Sequence, residues 1–243
     1  MRTNNPMLRE DTLRNAPASN GVMTIQGAVG KTFIMLILLV ATSLYSYVQV
    51  LMNKMNPSVL MGALIIAAIV AIVTTFVPKI SPVTAPIYAA VEGIVLGSIS
   101  AMYTIHFGNT LVLQAVLLTI SILFAMLILY ATRIIRVSDK FRMGVISATL
   151  GVAIMYLGVA ILHLFGIQVP FLHAGGTIAI IISAVIIVIA SLNLILDFDF
   201  IESGASKHAP KYMEWYGALG LMLTIVWLYF EILRFISYFT RNN

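Results

Sequence analysis

From residue 143 to residue 196 the chain carries no Asp, Glu, Lys or Arg, and this run of 54 residues ends at Asp197, followed by Asp199. A membrane crossing needs about 20 apolar residues, so the run is long enough for two. A carboxylate at mid-helix in lipid costs roughly 2.5–3.5 kcal/mol, and such residues line a protein interior or a water path. The acids that close the run are therefore the first place to look for function.

Composition points the same way. The chain of 243 residues is 60% hydrophobic and 9% charged, where a soluble domain carries about 25% charge. A soluble domain cannot hide that much apolar surface, so this is a polytopic membrane protein. The absence of cysteine removes disulfides, a thiol nucleophile and cysteine metal sites. The net charge of +5 is not a nucleic-acid signal, because no basic stripe is interleaved with aromatics. Residues 1–26 are polar, mixed in charge and without the apolar core of a signal peptide. They read as a flexible cytoplasmic tail before an uncleaved first helix, with one transmembrane domain over 27–243.

Apolar runs of spanning length fall near 32–52, 58–77, 86–104, 111–132, 143–165, 176–198 and 212–236. Lipid offers no partner to an open sheet edge, so each run is expected to be helical. The breaks carry turn residues: Asn56-Pro57, the segment 78–86, Gly108-Asn109, the charged 133–142, Pro170 and the segment 204–210. Short loops predict antiparallel neighbours in one all-α, seven-helix bundle. Basic residues then set direction. Arg2, Arg9, Arg14, Lys31, Lys79, Arg133, Arg136, Lys140, Arg142, Lys207 and Lys211 fall on one side; Lys54, Arg234 and Arg241 fall on the other. This predicts a cytoplasmic N-terminus and an outside C-terminus. Two stripes of small residues, Gly93/Gly97/Ala101 and Gly144/Gly151/Gly158, predict close helix contacts.

With that topology, Glu92 lies about two turns inside the third helix. Asp197, Asp199 and Glu202 close the sixth, and Glu214 opens the seventh. Five of the nine acids thus gather in the cytoplasmic half, a collection able to hold cations or trap a proton. Asp197 and Asp199 are placed at a helix C-terminus, whose partial negative charge disfavours anions by roughly 0.3–1 kcal/mol each. Arg142, Lys207, Lys211, a bound cation or protonation would offset this, and two close carboxylates titrate as a coupled pair. Asn193, one turn before Asp197, is positioned to share its face and supply a hydrogen bond. Glu231 is explained by an intrahelical pair with Arg234. His106, His163, His173 and His208 are scattered, without the i, i+4 spacing of a helical metal site. No phosphate loop, nucleophile elbow or metalloprotease motif is present, so enzyme chemistry has no foothold and no cofactor is expected.

Three stretches together resemble the Bax inhibitor-1 family, also called the transmembrane Bax inhibitor motif family, in its bacterial branch. They are Ala90-Val91-Glu92-Gly93-Ile94-Val95-Leu96-Gly97-Ser98-Ile99-Ser100, then Leu194-Ile195-Leu196-Asp197-Phe198-Asp199-Phe200-Ile201-Glu202. The third is Met213-Glu214-Trp215-Tyr216 with Leu228-Tyr229-Phe230-Glu231-Ile232-Leu233-Arg234. The resemblance covers roughly residues 30–238. It implies a seven-helix fold with the last helix near the bundle centre, a proton-sensitive calcium leak, and suppression of cell-death or stress pathways. Bacterial relatives are also linked to a membrane-bound protease. It further implies an aspartate on the sixth helix paired with one on the seventh. Asp197 matches the first, whereas Thr224 stands where the second is expected, which leaves Asp199 or Glu92 as substitutes.

Two functions follow as expectations. The leading one is a calcium or other cation leak, closed by the last helix and biased by protonation of Asp197, Asp199 and Glu92, since carboxylate oxygens suit a hard cation. The other is a membrane interaction protein that restrains a partner such as a membrane protease without conducting ions. A coupled transporter ranks below both, because no pair of broken helices occupies matching halves.

Overall fold

A computed structural model of the chain describes residues 21–166 and 176–242, with the side chains of 241 and 242 left aside. Most of the predicted tail, together with Pro170 and His173, lies outside the described residues. Seven helices long and apolar enough to cross a membrane are present: α1 Ile25–Leu51, α2 Pro57–Phe76, α3 Ser81–Phe107, α4 Asn109–Ala131, α5 Asp139–Leu164, α6 Thr177–Ser206 and α7 Met213–Asn242. The chain is a multi-pass integral membrane protein. Its outward side chains include Phe33, Ile37, Leu44, Phe76, Ile154 and Leu164, all more than half exposed, and only lipid makes so wide an apolar surface tolerable.

Local signals start these helices where polar groups can satisfy the first turn. The Thr24 hydroxyl accepts from the Gly27 amide at 3.0 Å. Asn56 caps α2 through the Ser58 amide at 3.0 Å, with Pro57 at its first position. Ser138 does the same for α5. Gly108, with φ of +88°, lets α3 end and α4 begin within one residue; an L side chain rarely adopts that backbone. Within the spans, hydroxyls such as Thr32, Thr74, Ser100 and Thr119 bond back to the carbonyl four residues earlier, which satisfies them within their own helix.

The helices extend past the predicted spans at the end where the chain enters the bundle, here called the N-terminal face. α1 starts at Ile25 instead of 32, α3 at Ser81 instead of 86, and α6 runs to Ser206 instead of 198. Hydropathy registers only the part in hydrocarbon, whereas polar turns remain helical among headgroups and water. The difference changes one inference. Asp197 and Asp199 do not end their helix; α6 continues for about two turns beyond them. The dipole penalty expected for a last-turn acid does not apply there, because that effect fades within one turn.

The central elements are α3 and α7, each with 56% of its apolar stretch buried, against 11–17% for α1, α2, α4 and α5. α7 touches α1, α3, α4 and α6, so the last helix is near the centre. α1 lies closest to α3, and the Gly93/Gly97 stripe is the reason. A Cβ at Gly93 would run into the Leu39 carbonyl and Thr42 hydroxyl, and one at Gly97 into the Ser43 carbonyl. Ala101 completes this seam with no exposure. The second stripe behaves otherwise: nothing lies within 4 Å of a Cβ built at Gly144, Gly151 or Gly158. The close contact expected of it is absent among the described residues, and α5, which packs along α6, leaves that face open.

The last residues of the predicted tail are docked. The Met23 amide donates to the Ala209 carbonyl at 2.7 Å, and Val22 bridges Pro210. The Met23 side chain is 2% exposed, seated where Gly204 of α6 and Gly217 of α7 leave room.

Candidate functional site

Asp197 points at α7. A Cβ on Gly220 would sit 3.5 Å from its Oδ1, and the Thr224 hydroxyl, which donates to the Gly220 carbonyl at 3.3 Å, lies beside the carboxyl. The small residue at 220 is what lets an α6 carboxyl lie against the α7 backbone. Asp197 Oδ2 is buried without a hydrogen-bond partner. A buried acceptor left unmet costs about 1–3 kcal/mol, so it marks a special position.

The same carboxyl borders a cavity of about 580 Å³. Asn193, Ser203 and Lys207 line it from α6 and its end, Tyr216 and Gly220 from α7, Thr75 from α2 and Arg142 from α5. The charged and titratable groups around Asp197 are thus Arg142, Lys207 and Tyr216, with Thr224 and Asn193 as neutral hydrogen-bonding neighbours. Asn193 shares the face as expected, but its amide donates to Thr149 at 2.7 Å and to the Ile189 carbonyl at 2.9 Å.

The other acids are not gathered there. Asp199, two residues on, is held by Arg142 at 2.5 Å; residues i and i+2 of a helix do not share a face. Arg142 thus pairs with Asp199 while also bordering the cavity. Glu202 takes the Tyr130 hydroxyl and the Arg133 guanidinium, both from the end of α4 and the turn after it. Glu92 is 8% exposed on α3, hydrogen-bonded by Tyr88 one turn earlier, and it does not line the Asp197 cavity. The expected collection of acids in one half of the bundle resolves into separately partnered groups. Among the described residues no three of His, Cys, Asp and Glu come together as a metal site.

Two further clusters fasten α7. At its first turn Glu214 has no exposure. It accepts from Lys211 at 2.7 Å, from the Thr24 amide and hydroxyl at 2.9 Å each, and from Lys31. Gly27 is the clearance for it, because a Cβ there would overlap the carboxylate. Lys31 also lies 5.5 Å from the Trp215 ring centre. Near the other end, Glu231 pairs with Arg234 as expected, and it also accepts from Tyr156 of α5 at 2.6 Å and from the Trp227 indole at 3.2 Å. Between these ends Tyr229 meets Ser100 of α3 at 2.6 Å. The tyrosines Tyr88, Tyr130 and Tyr156 escaped the sequence reading. Phenols have no periodic signature, although each is the natural donor for a buried carboxylate.

Residues 5–241 match the family described as Bax inhibitor 1 like. The chain belongs to that family. No curated protein matches the sequence. The family match spans nearly the whole chain, so all seven helices belong to the family fold, and the α6–α7 contact at Asp197 and Thr224 lies inside it.

Proposed function

We propose that this Bax inhibitor-1-like protein is a cation leak pathway, with calcium the favoured ion, in which Asp197 is the protonation site that biases α7. The observation that carries this reading is the unpartnered Oδ2 of Asp197 at the edge of the α6–α7 cavity. A protonated carboxyl is neutral and is served by Thr224 alone. An ionised one needs a cation, water or a basic side chain for its second oxygen, and Arg142 and Lys207 border the same space. Ionisation therefore favours an α7 position that opens the cavity, and the carboxylate then attracts a hard cation. Protons and cations compete for one group, so flux rises with pH. Thr224 acts as a hydrogen-bonding partner in place of a second carboxylate. With one titrating group at the contact, the response is a single step instead of the two-step titration of a coupled pair. The partition of basic residues supports a cytoplasmic N-terminal face and, with it, a cavity in the inner-leaflet half of a bacterial inner membrane.

The test is calcium flux in proteoliposomes across pH for wild type and Asp197→Asn. Wild type is expected to show a pH-dependent flux that the variant lacks. An unchanged pH profile in the variant removes Asp197 from the mechanism.

The second reading, a membrane interaction protein that restrains a partner such as a membrane protease in a stress response, is favoured by the open glycine face of α5. It predicts no flux from either protein, and loss of partner co-purification when residues 1–20 are deleted.

A further inference from the structure

The helices that enclose the Asp197 cavity carry a second concavity on their opposite side. It too has a volume of about 580 Å³, and its walls are α1 and α4. Phe33 of α1 and Leu123 and Leu127 of α4 line the sides; Ile201 of α6 and Leu221 and Ile225 of α7 form the floor. Apart from Thr32, whose hydroxyl is bonded back within α1, the side chains are apolar along its length, and polarity is concentrated at the N-terminal face, where Tyr130, Arg133 and Glu202 close it. On α1 the lining runs from Ile25 to Leu36 and on α4 from Ile120 to Tyr130, about 15 Å of helix on each wall at 1.5 Å per residue. That is the depth of one leaflet's hydrocarbon, half of a core about 30 Å thick.

The charged end is lopsided. Glu202 is engaged by Tyr130 and Arg133, but the Arg133 side chain remains 55% exposed, and a guanidinium has five donors. Three residues on, Arg136 is exposed as well, and the turn 132–138 contains no acid. Ile134 between them is 70% exposed, as suits a turn lying among headgroups. An apolar slot one leaflet deep, with the half-exposed Arg133 at its mouth and the exposed Arg136 three residues on, has the shape and charge of a lipid site. Juxtamembrane basic residues attract anionic headgroups in this way.

We propose that the α1–α4 groove holds one acyl chain of an anionic phospholipid, its phosphate against Arg133 and Arg136. The bound chain lies on Leu221 and Ile225 of α7, which flank Thr224, so the lipid and the Asp197 cavity share one wall. The site stands whether or not the protein conducts ions.

The experiment places the full chain in nanodiscs of phosphatidylcholine with a minor share of phosphatidylglycerol. Retained lipid is then weighed by native mass spectrometry after gentle detergent extraction. Wild type should keep phosphatidylglycerol about tenfold above its bulk share, and tenfold corresponds to about 1.4 kcal/mol of preference. Leu127→Trp, which fills the groove without touching its charges, should lose that retained lipid. Arg133→Gln with Arg136→Gln should keep a lipid but lose the headgroup preference. If that double variant does not fold, Arg136→Gln alone leaves the Arg133–Glu202 pair intact and should lower the enrichment several-fold. Retention in the bulk ratio by wild type would reduce the groove to ordinary boundary lipid and overturn the proposal. So would undiminished retention by Leu127→Trp, or enrichment unchanged by loss of the basic pair. A photo-crosslinker at Phe33 that captures a second copy or another protein's helix in place of lipid would overturn it too.

Discussion

Glu214 and Asp197 are separated by one inter-helix turn, and both are acids of membrane-crossing helices, yet their company differs completely. Glu214 is met by two ammonium groups, a backbone amide and a hydroxyl. Asp197 has a threonine for one oxygen and nothing for the other. A buried carboxylate that is saturated with donors fixes geometry: it pins the start of α1 and the turn before α7 to one point. A buried carboxylate with an unmet oxygen beside a cavity retains a choice between proton, cation and water. Charge in the membrane thus plays two parts in this chain: Glu214 and Glu231 fasten α7, and under the proposed function Asp197 is the group free to change state.

The largest effect that could break this contrast is on the fastener. Glu214→Leu strands Lys31 and frees residues 21–24, and removing one partner of a buried pair costs about 3–5 kcal/mol. Thermal unfolding in detergent should drop accordingly, with new protease sensitivity near Met23. A loss below about 1 kcal/mol would make Glu214 no more structural than Asp197. Next in size is the α1–α3 seam. Gly93→Leu forces side-chain atoms against the Leu39 carbonyl and should cost about 1–3 kcal/mol, as overpacking does. Gly151→Ala, on the open stripe of α5, should instead be neutral or stabilising by up to about 1 kcal/mol through helix propensity. The same melting measurement reads both.

A smaller loss, about 1 kcal/mol, is expected for Thr24→Val, which removes the α1 cap and one donor to Glu214. Smallest in stability is Asp197→Asn. It keeps a hydrogen-bonding group toward Thr224 and should shift unfolding by less than about 1 kcal/mol while abolishing the pH response of flux. A destabilisation as large as that of Glu214→Leu would make Asp197 a second fastener and erase the distinction.

How much of this was legible beforehand varies by residue. The seven spans were, because each must supply its own apolar run and internal hydrogen bonds. The helix ends were not: α6 reaches Ser206 because water and headgroups tolerate Asp199, Glu202 and Ser203 in helical form, and hydropathy cannot register that. The Glu231–Arg234 pair was legible from i, i+3 spacing. The three-fold company of Glu231 was not, since Tyr156 comes from a helix 75 residues away in the chain. Glu92 and Asp199 were grouped with Asp197 in sequence, as candidate partners to it, and contacts from Tyr88 and Arg142 separate them from it. The two glycine stripes looked alike too, and only one meets a neighbour.

What the sequence determined alone is everything set by solvent: lipid as the medium, helices as its consequence, seven crossings, and the residues whose burial would be costly. Tertiary structure decided which of those costs were met. Donors to a buried acid come from distant turns of other helices, and one-dimensional order carries no record of which turn will face it. The same polar atom is a rivet or a switch according to whether a second helix brings it a partner.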